Sequence, residues 1–361
     1  MSKKMYIYIG VLLFFIACED KGAGLYLGVP KPPEADPEEE VMYRNPVFEP
    51  ILADPTVVRD PRTGLFYAYG TEDNWGDGVG NRVVPIVSSE NLTSWTLVGQ
   101  AFSTKPNWKN SGNIWAPDVV YMDGKFVMYY SYSTWGDANP GVGVATAEQP
   151  AGPFTDQGKL FTSNEINVPN SIDPHFFEEG GHRYLFWGSF SNAATQGTYV
   201  VDLSDDGLSV PDLSQKTKIA AGDFEAVMIH KREDYYYFFG SKGSCCEGAN
   251  SQYRVLVARS TNLKGPYLDR DGHDISERGR GTILLQGSEI FAGPGHNSRI
   301  MTDDEGTDWL LYHGIDRAQG TVSSGATRRP LMLDKIEWRD GWPSIGGAIP
   351  SAMRTKAPVF N

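Results

Sequence analysis

The sequence predicts an all-β fold, a five-bladed β-propeller, and three features carry that expectation. The first is a hairpin that recurs five times. Each copy has a short apolar strand, a polar turn, and a Tyr- or Phe-rich strand ending near Gly or Ser. The second is the set of strand-like stretches between the copies, at 84 to 99, 142 to 158 and 254 to 272. The third is composition: 40 glycines and 18 tyrosines favour turns and strands, and no stretch after residue 45 has the pattern of a long amphipathic helix. Repeats of roughly 50 to 70 residues holding several strands each read as propeller blades. A β-sandwich lacks such self-similarity, and β-helix repeats are much shorter.

Along the chain, the first element is a targeting segment at 1–17. Lys3 and Lys4 precede the apolar run "MYIYIGVLLFFIA", which is shorter than the ~20 residues of a membrane-spanning helix. The run closes on "FIAC", which resembles the lipobox of bacterial lipoproteins and would make Cys18 the lipidated first residue of the mature chain. The acidic pair after it is similar to the surface-export signal of some Bacteroidetes lipoproteins. That resemblance implies a lipid-anchored protein of a Gram-negative cell envelope, touching the membrane only through its anchor. Residues 18–44 are rich in Pro, Gly and acids and read as a solvated tether. Residues 45–361 are expected to form the propeller, as a monomer.

The five copies begin with "DPTVVRDPRTGLFYAYGT" at 54, "APDVVYMDGKFVMYYS" at 116 and "DPHFFEEGGHRYLFWGS" at 173. They continue with "EAVMIHKREDYYYFFGS" at 225 and "HNSRIMTDDEGTDWLLYHG" at 296. The first strand of a blade lines the central channel, so equivalent positions on different blades face one another. Their first residues are Asp54, Ala116, Asp173, Glu225 and His296. A single acid at a strand start is an ordinary turn residue. Three acids and a histidine at one repeated position point to a site. Carboxylates gathered about one axis repel, which keeps one protonated while another stays ionised, as general acid–base chemistry requires.

Charge narrows the partner. The formal net charge is -13, and the only basic cluster is "TRR" at 327–329. Nucleic acid, which needs a basic surface, is excluded as a partner on this ground, and a neutral ligand fits better. The remaining cysteines, Cys245 and Cys246, are adjacent. That spacing does not suit a zinc site, leaving either a vicinal disulfide or a pair of inert thiols, both structural.

With these residues in view, the chain resembles glycoside hydrolase family 43, five-bladed propellers that cleave arabinose- and xylose-containing polysaccharides. The resemblance runs over roughly 45 to 350. It implies a general base at Asp54 in "ADPTVV", a general acid at Glu225 in "FEAVMI", and at Asp173 in "SIDPHFF" a carboxylate that orients and tunes the acid. The stretches "NIWAPDVVYMDGKFVMYYS", "GSCCEGANSQYRVLVARS", "GPGHNS" and "LMLDKIEW" are most similar to the α-1,5-arabinanase branch. That branch implies a largely water-coordinated calcium ion near His296, and an Arg329 that hydrogen-bonds the bound sugar. "EAVM" replaces the commoner "EAPY", and "GSFS" at 188 to 191 replaces "GSFW", which changes the sugar pocket.

Trp115 is expected at the channel mouth, as a sugar platform or as blade packing, and Trp75 in the Gly-rich loop "EDNWGDGVGN" is a second platform candidate. Asp118 either braces a blade or touches ligand. The expected activity is inverting hydrolysis of α-1,5-linked arabinan in an endo manner. The alternatives are an exo-acting α-L-arabinofuranosidase or β-xylosidase, or a glycan-binding propeller without catalysis.

Overall fold

The computed structural model describes residues 40–190 and 194–361, so the targeting segment, Cys18, most of the tether and Ser191 lie outside the described residues. Five antiparallel sheets follow one another along the chain. Blade I is built from Thr56–Arg59, Phe66–Tyr69, Pro85–Ser89 and Thr96–Gln100. Blade II uses Asn113–Met122, Lys125–Ser133, Gly141–Ala147 and Thr155–Thr162. Ile172–Glu179, His182–Gly188, Gly197–Asp202 and Thr217–Ala221 form blade III. Blade IV comprises Glu225–Arg232, Tyr235–Lys242, Arg254–Ser260 and Thr282–Leu285. Blade V comprises Phe291–Gly295, Asp308–Asp316, Leu331–Arg339 and Trp342–Ser344, with Met301–Thr302 added beside its second strand. The only α-helix among the described residues is one turn, Ser163–Ile166.

Two boundaries differ from the sequence expectation. The stretch 254–272 supplies only the third strand of blade IV; its latter half forms the bridges Arg259–Leu268 and Leu268–Asp274, and the fourth strand comes later. At the N-terminus, Met42–Tyr43 pairs with Thr355–Lys356, so ordered pairing starts inside the stretch read as tether. Tyr43 is buried and donates its hydroxyl hydrogen bond to the Leu333 carbonyl, 2.8 Å away.

Each blade is hydrophobic on both faces, which explains the near-continuous apolar runs. Along "FVMYYSY" in blade II, Phe126, Met128, Tyr130 and Tyr132 pack toward blade I, while Val127 and Tyr129 pack toward blade III. The period of two is that of a strand buried on both sides. The core is therefore five layers between neighbouring blades rather than one central mass. The last layer closes the ring: Val57, Phe66 and Ala68 of blade I meet Trp309, Leu311 and Leu333 of blade V. Residues 47–52 seal that junction, with Val47 N–H donating to Leu331 and Leu52 N–H to Arg329, both at 2.9 Å.

Candidate active site

The innermost strand of every blade begins with a kink. Asp54, Ala116, Asp173, Ala226 and His296 all have left-handed backbone, with φ between 45° and 57°. In blades II to IV the pairing register slips at this point, as in a β-bulge. The N–H of each kinked residue is turned toward the preceding blade, where a side chain receives it. Ala116 donates to Thr71 Oγ1 at 2.9 Å, Asp173 to Ser131 Oγ at 2.8 Å, and His296 to Ser241 Oγ at 2.9 Å. Asp54 donates to His313 Nδ1 at 3.1 Å. The fifth bond differs: Ala226 donates to Asp173 Oδ2 at 3.0 Å. By strand register the residue of blade III that matches Ser131, Ser241 and His313 is Gly188, which has no side chain to offer. The belt closes through the carboxylate instead.

This register corrects one sequence expectation. Glu225 is not the equivalent of Asp54, Asp173 and His296; Ala226 is, and Glu225 matches Trp115 and Ile172, one residue earlier. Glu225 therefore stands one residue before the kink that Asp173 occupies in blade III. Gly188 gives it room, because a Cβ at that position would come 3.3 Å from Glu225 Cα.

Asp54 is the most heavily bonded carboxylate of the site. Arg329 Nη1 lies 3.0 and 3.2 Å from its two oxygens, and the Thr71 hydroxyl donates to Oδ2 at 2.6 Å. His296 Nδ1 lies 3.3 Å from Oδ1. Burial would raise its pKa, but the Arg329 and His296 charges prevail and hold the carboxyl well below its ordinary range. Asp54 is thus ionised at neutral pH. His296 answers in kind: burial disfavours its charge, the Asp54 carboxylate outweighs burial, and its pKa is raised. Burial pushes His313 down to about 4, consistent with a neutral ring accepting the Asp54 N–H at Nδ1.

Glu225 has the opposite environment. Burial, then the neighbouring Asp173 charge, push its pKa up to about 8, opposed by the Tyr253 hydroxyl within hydrogen-bonding reach. Burial also raises Asp173, against the pull of His296. The channel therefore carries one carboxylate held ionised and one held protonated, with Asp173 acting on Glu225 through its charge.

Arg329 is buried on Asp54, with Nη2 also 3.8 Å from Asp73. Trp115 is half-buried at the Glu225-equivalent position and tilts against Trp135, ring centroids 5.7 Å apart. Trp135 is 78% exposed and is the aromatic surface most open to a ligand there. Trp75 does not fit a platform. It is buried among Ile51, Ala53 and Phe48, with the Arg82 guanidinium 4.3 Å above its ring. Asp118 braces blades. It accepts from Thr56 at 3.2 Å, from the Phe176 N–H at 2.6 Å and from Arg299 at 2.5 Å, joining blades I, II, III and V.

The sequence pattern that defines glycosyl hydrolases family 43 matches residues 43–343. The chain belongs to that family. It is 31% identical over 307 residues to the extracellular endo-α-(1→5)-L-arabinanase 1 of Bacillus subtilis, covering 81% of this chain and 87% of that protein. It is 30% identical over 320 residues to the extracellular exo-α-(1→5)-L-arabinofuranosidase ArbA of Cellvibrio japonicus, covering 81% and 85%. The solved α-L-arabinanase of Cellvibrio cellulosa in complex with arabinohexaose superposes with a TM-score of 0.69 at 27% identity, covering 87% of this chain and all of that one.

Within this family 43 propeller, calcium at His296 meets a sparse donor set. His296 is one imidazole already turned to Asp54. Among the described residues, the one cluster of three His, Cys, Asp or Glu ligand atoms is Asp269, Asp271 and His273, away from the axis. A hard cation prefers a shell of oxygens, so the axis fits only an ion that keeps most of its water. Cys245 and Cys246 are joined as a vicinal disulfide. Tyr253, His313, Thr71, Gly188 and Trp135 were not singled out from sequence.

Proposed function

We propose that this family 43 glycoside hydrolase cleaves α-1,5-linked L-arabinan by single displacement with inversion. One observation carries the mechanism: two carboxylates at one channel mouth are pushed in opposite directions, Asp54 down and Glu225 up. Such a split assigns base and acid at neutral pH. Asp54 takes a proton from the attacking water, and Glu225 delivers its proton to the departing glycosidic oxygen. Asp173 keeps the Glu225 proton in place through its charge and fixes the adjoining backbone through Ala226. Arg329 and His296 keep Asp54 ionised, and Trp115 with Trp135 offers the sugar faces an aromatic surface.

The substrate rests on the two relatives near 30% identity, both named for action on α-1,5-L-arabinose linkages. Endo action is the first reading, after the B. subtilis protein. Exo action is the second, favoured by the C. japonicus protein. The deciding experiment is a product profile on debranched arabinan, with the anomer followed by proton NMR in the first minutes. A ladder of β-configured oligosaccharides supports endo action with inversion, arabinose alone supports exo action, and products that keep the α-configuration overturn the assignment of Asp54 as base.

Three parts stand beside this reading. Calcium belongs to it only as a hydrated ion resting on His296, adding positive charge at the axis; a Tm that falls on chelation supports this, and an unchanged Tm removes it. The lipid anchor at Cys18 in a Gram-negative envelope is tested by fatty-acid labelling of wild type against Cys18→Ser. The monomeric state is tested by light scattering.

A further inference from the structure

The Cys245–Cys246 disulfide lies in the loop between the second and third strands of blade IV. That loop leaves Tyr235–Lys242 just past Ser241, the strand partner of Glu225. It therefore sits at the mouth that carries the acid. Both of its ends touch the catalytic belt: Ser241 receives the His296 N–H at 2.9 Å, and Tyr253 packs against Glu225 and stacks on His313 with centroids 5.7 Å apart.

The loop between these anchors is held in one shape. Gly243 has φ 100°, and a Cβ there would lie 2.4 Å from the Gln252 carbonyl oxygen, so the strand exit and return are pressed together. Gln252 N–H donates to the Ser244 carbonyl at 3.0 Å, and Glu247 N–H to Ser251 Oγ at 2.8 Å. Thr327 Oγ1 of blade V donates to the Cys246 carbonyl at 2.9 Å, two residues before the Arg329 that holds Asp54. Both cysteines remain half-exposed.

We infer that the Cys245–Cys246 disulfide is a sugar contact on the leaving-group side of the scissile bond; this rests on the family 43 hydrolase reading above. Bonded adjacent cysteines close a small ring that cannot collapse away from a ligand. Its two sulfurs are polarizable and make no demand for hydrogen bonds. Such a surface matches the C–H face of a furanose, whose hydroxyls then point to water or to polar neighbours. A rigid contact of this kind binds without the entropy loss of ordering a long side chain. The leaving-group side follows from position, because the loop continues the strand whose Ser241 pairs with Glu225, the residue that protonates the departing oxygen.

The test compares wild type with Cys245→Ser/Cys246→Ser and with Cys245→Ala/Cys246→Ala on two substrates. Linear arabino-oligosaccharides place a sugar on the leaving-group side, whereas α-L-arabinofuranosyl fluoride places only fluoride there. The expected result is a KM for the oligosaccharide raised about fivefold in both variants, the size of one lost sugar contact. The kcat/KM for the fluoride stays within about twofold of wild type. An equal loss on both substrates assigns the disulfide to holding Tyr253 and Ser241 and overturns the proposal, as does no change on either. A wild type that cleaves neither substrate refutes the hydrolase reading instead, and a matched Tm shows that the variants are folded.

Discussion

The Asp173 carboxylate accepts the backbone N–H of Ala226 at 3.0 Å, one residue past Glu225. It therefore governs the acid in two separable ways, by charge and by fixing the backbone from which Glu225 projects. Replacing Asp173 with Asn keeps an acceptor oxygen for Ala226 and removes the charge. The Glu225 pKa, raised first by burial and then by Asp173, must fall. Because the acid works only while protonated, the basic limb of the kcat/KM profile on arabinan should move to lower pH. The neutral-pH rate should fall by roughly 10- to 100-fold. A basic limb that stays in place would show that Asp173 does not tune Glu225.

Gly188 explains why blade III can spare this carboxylate, and it offers a direct perturbation. A Cβ at residue 188 would lie 3.8 Å from the Ala226 nitrogen and 3.3 Å from Glu225 Cα. Gly188→Ser would supply the hydroxyl that Ser131 and Ser241 supply elsewhere, competing with Asp173 for the Ala226 N–H. Turnover should drop about tenfold or more, since displacements well under 1 Å at a catalytic group already slow the reaction. The Tm should hold within a few degrees, because the belt bond is replaced and not lost. Gly188→Ala, which adds bulk without an acceptor, separates crowding from competition. Full activity in both variants would detach the belt from catalysis.

Asp54, Asp173 and Glu225 drew notice in the sequence because Asp54 and Asp173 open their hairpins and Glu225 falls at the same count. The one-residue offset of Glu225 was not legible. Only the backbone of Ala226 marks the kink, and an alanine side chain carries no sign of a left-handed φ. The blade count followed from repetition, yet the fourth strand of blade IV was misplaced because an irregular excursion precedes Thr282–Leu285. Trp75 misled for a related reason: a tryptophan in a Gly-rich loop reads as exposed until Phe48 and Arg82 are seen to cover it. His313 was hidden inside the aromatic strand Asp308–Asp316, and Tyr253 stands in a loop just before Arg254–Ser260, where sequence cannot tell a packing ring from one whose polar atom faces a carboxylate.

Arg329 should act through the base. Burial alone would raise the Asp54 pKa, and Arg329 is the strongest influence that lowers it, ahead of His296. In Arg329→Met the Asp54 pKa must rise, so the acidic limb of kcat/KM moves to higher pH, with roughly a 10- to 100-fold loss at neutral pH. The stability sign runs the same way. A depressed carboxyl stabilises the fold above its unfolded pKa and loses that contribution as pH falls through the folded value. Arg329→Met should therefore lower Tm most at neutral pH and least under strongly acidic conditions. A raised KM with both limbs unmoved would return Arg329 to the role of sugar ligand.

Glu225 makes the converse prediction. Its folded pKa of about 8 lies above its ordinary value of 4.5. Below about 4.5 the side chain is neutral in both folded and unfolded chains. Between there and about 8 the unfolded chain gives up the proton while the folded one retains it, so stability falls as pH rises, and above that the loss is complete. Glu225→Gln removes this dependence while keeping shape. It should lower kcat on arabinan by about two to four orders of magnitude, the worth of a general acid. Its Tm relative to wild type should climb between pH 4.5 and about 8 and then level off. Thermal melts of the two proteins across that range decide the matter. A Tm difference that is flat with pH would mean that Glu225 is not held protonated by its surroundings, and a different group would have to donate the proton to the leaving oxygen.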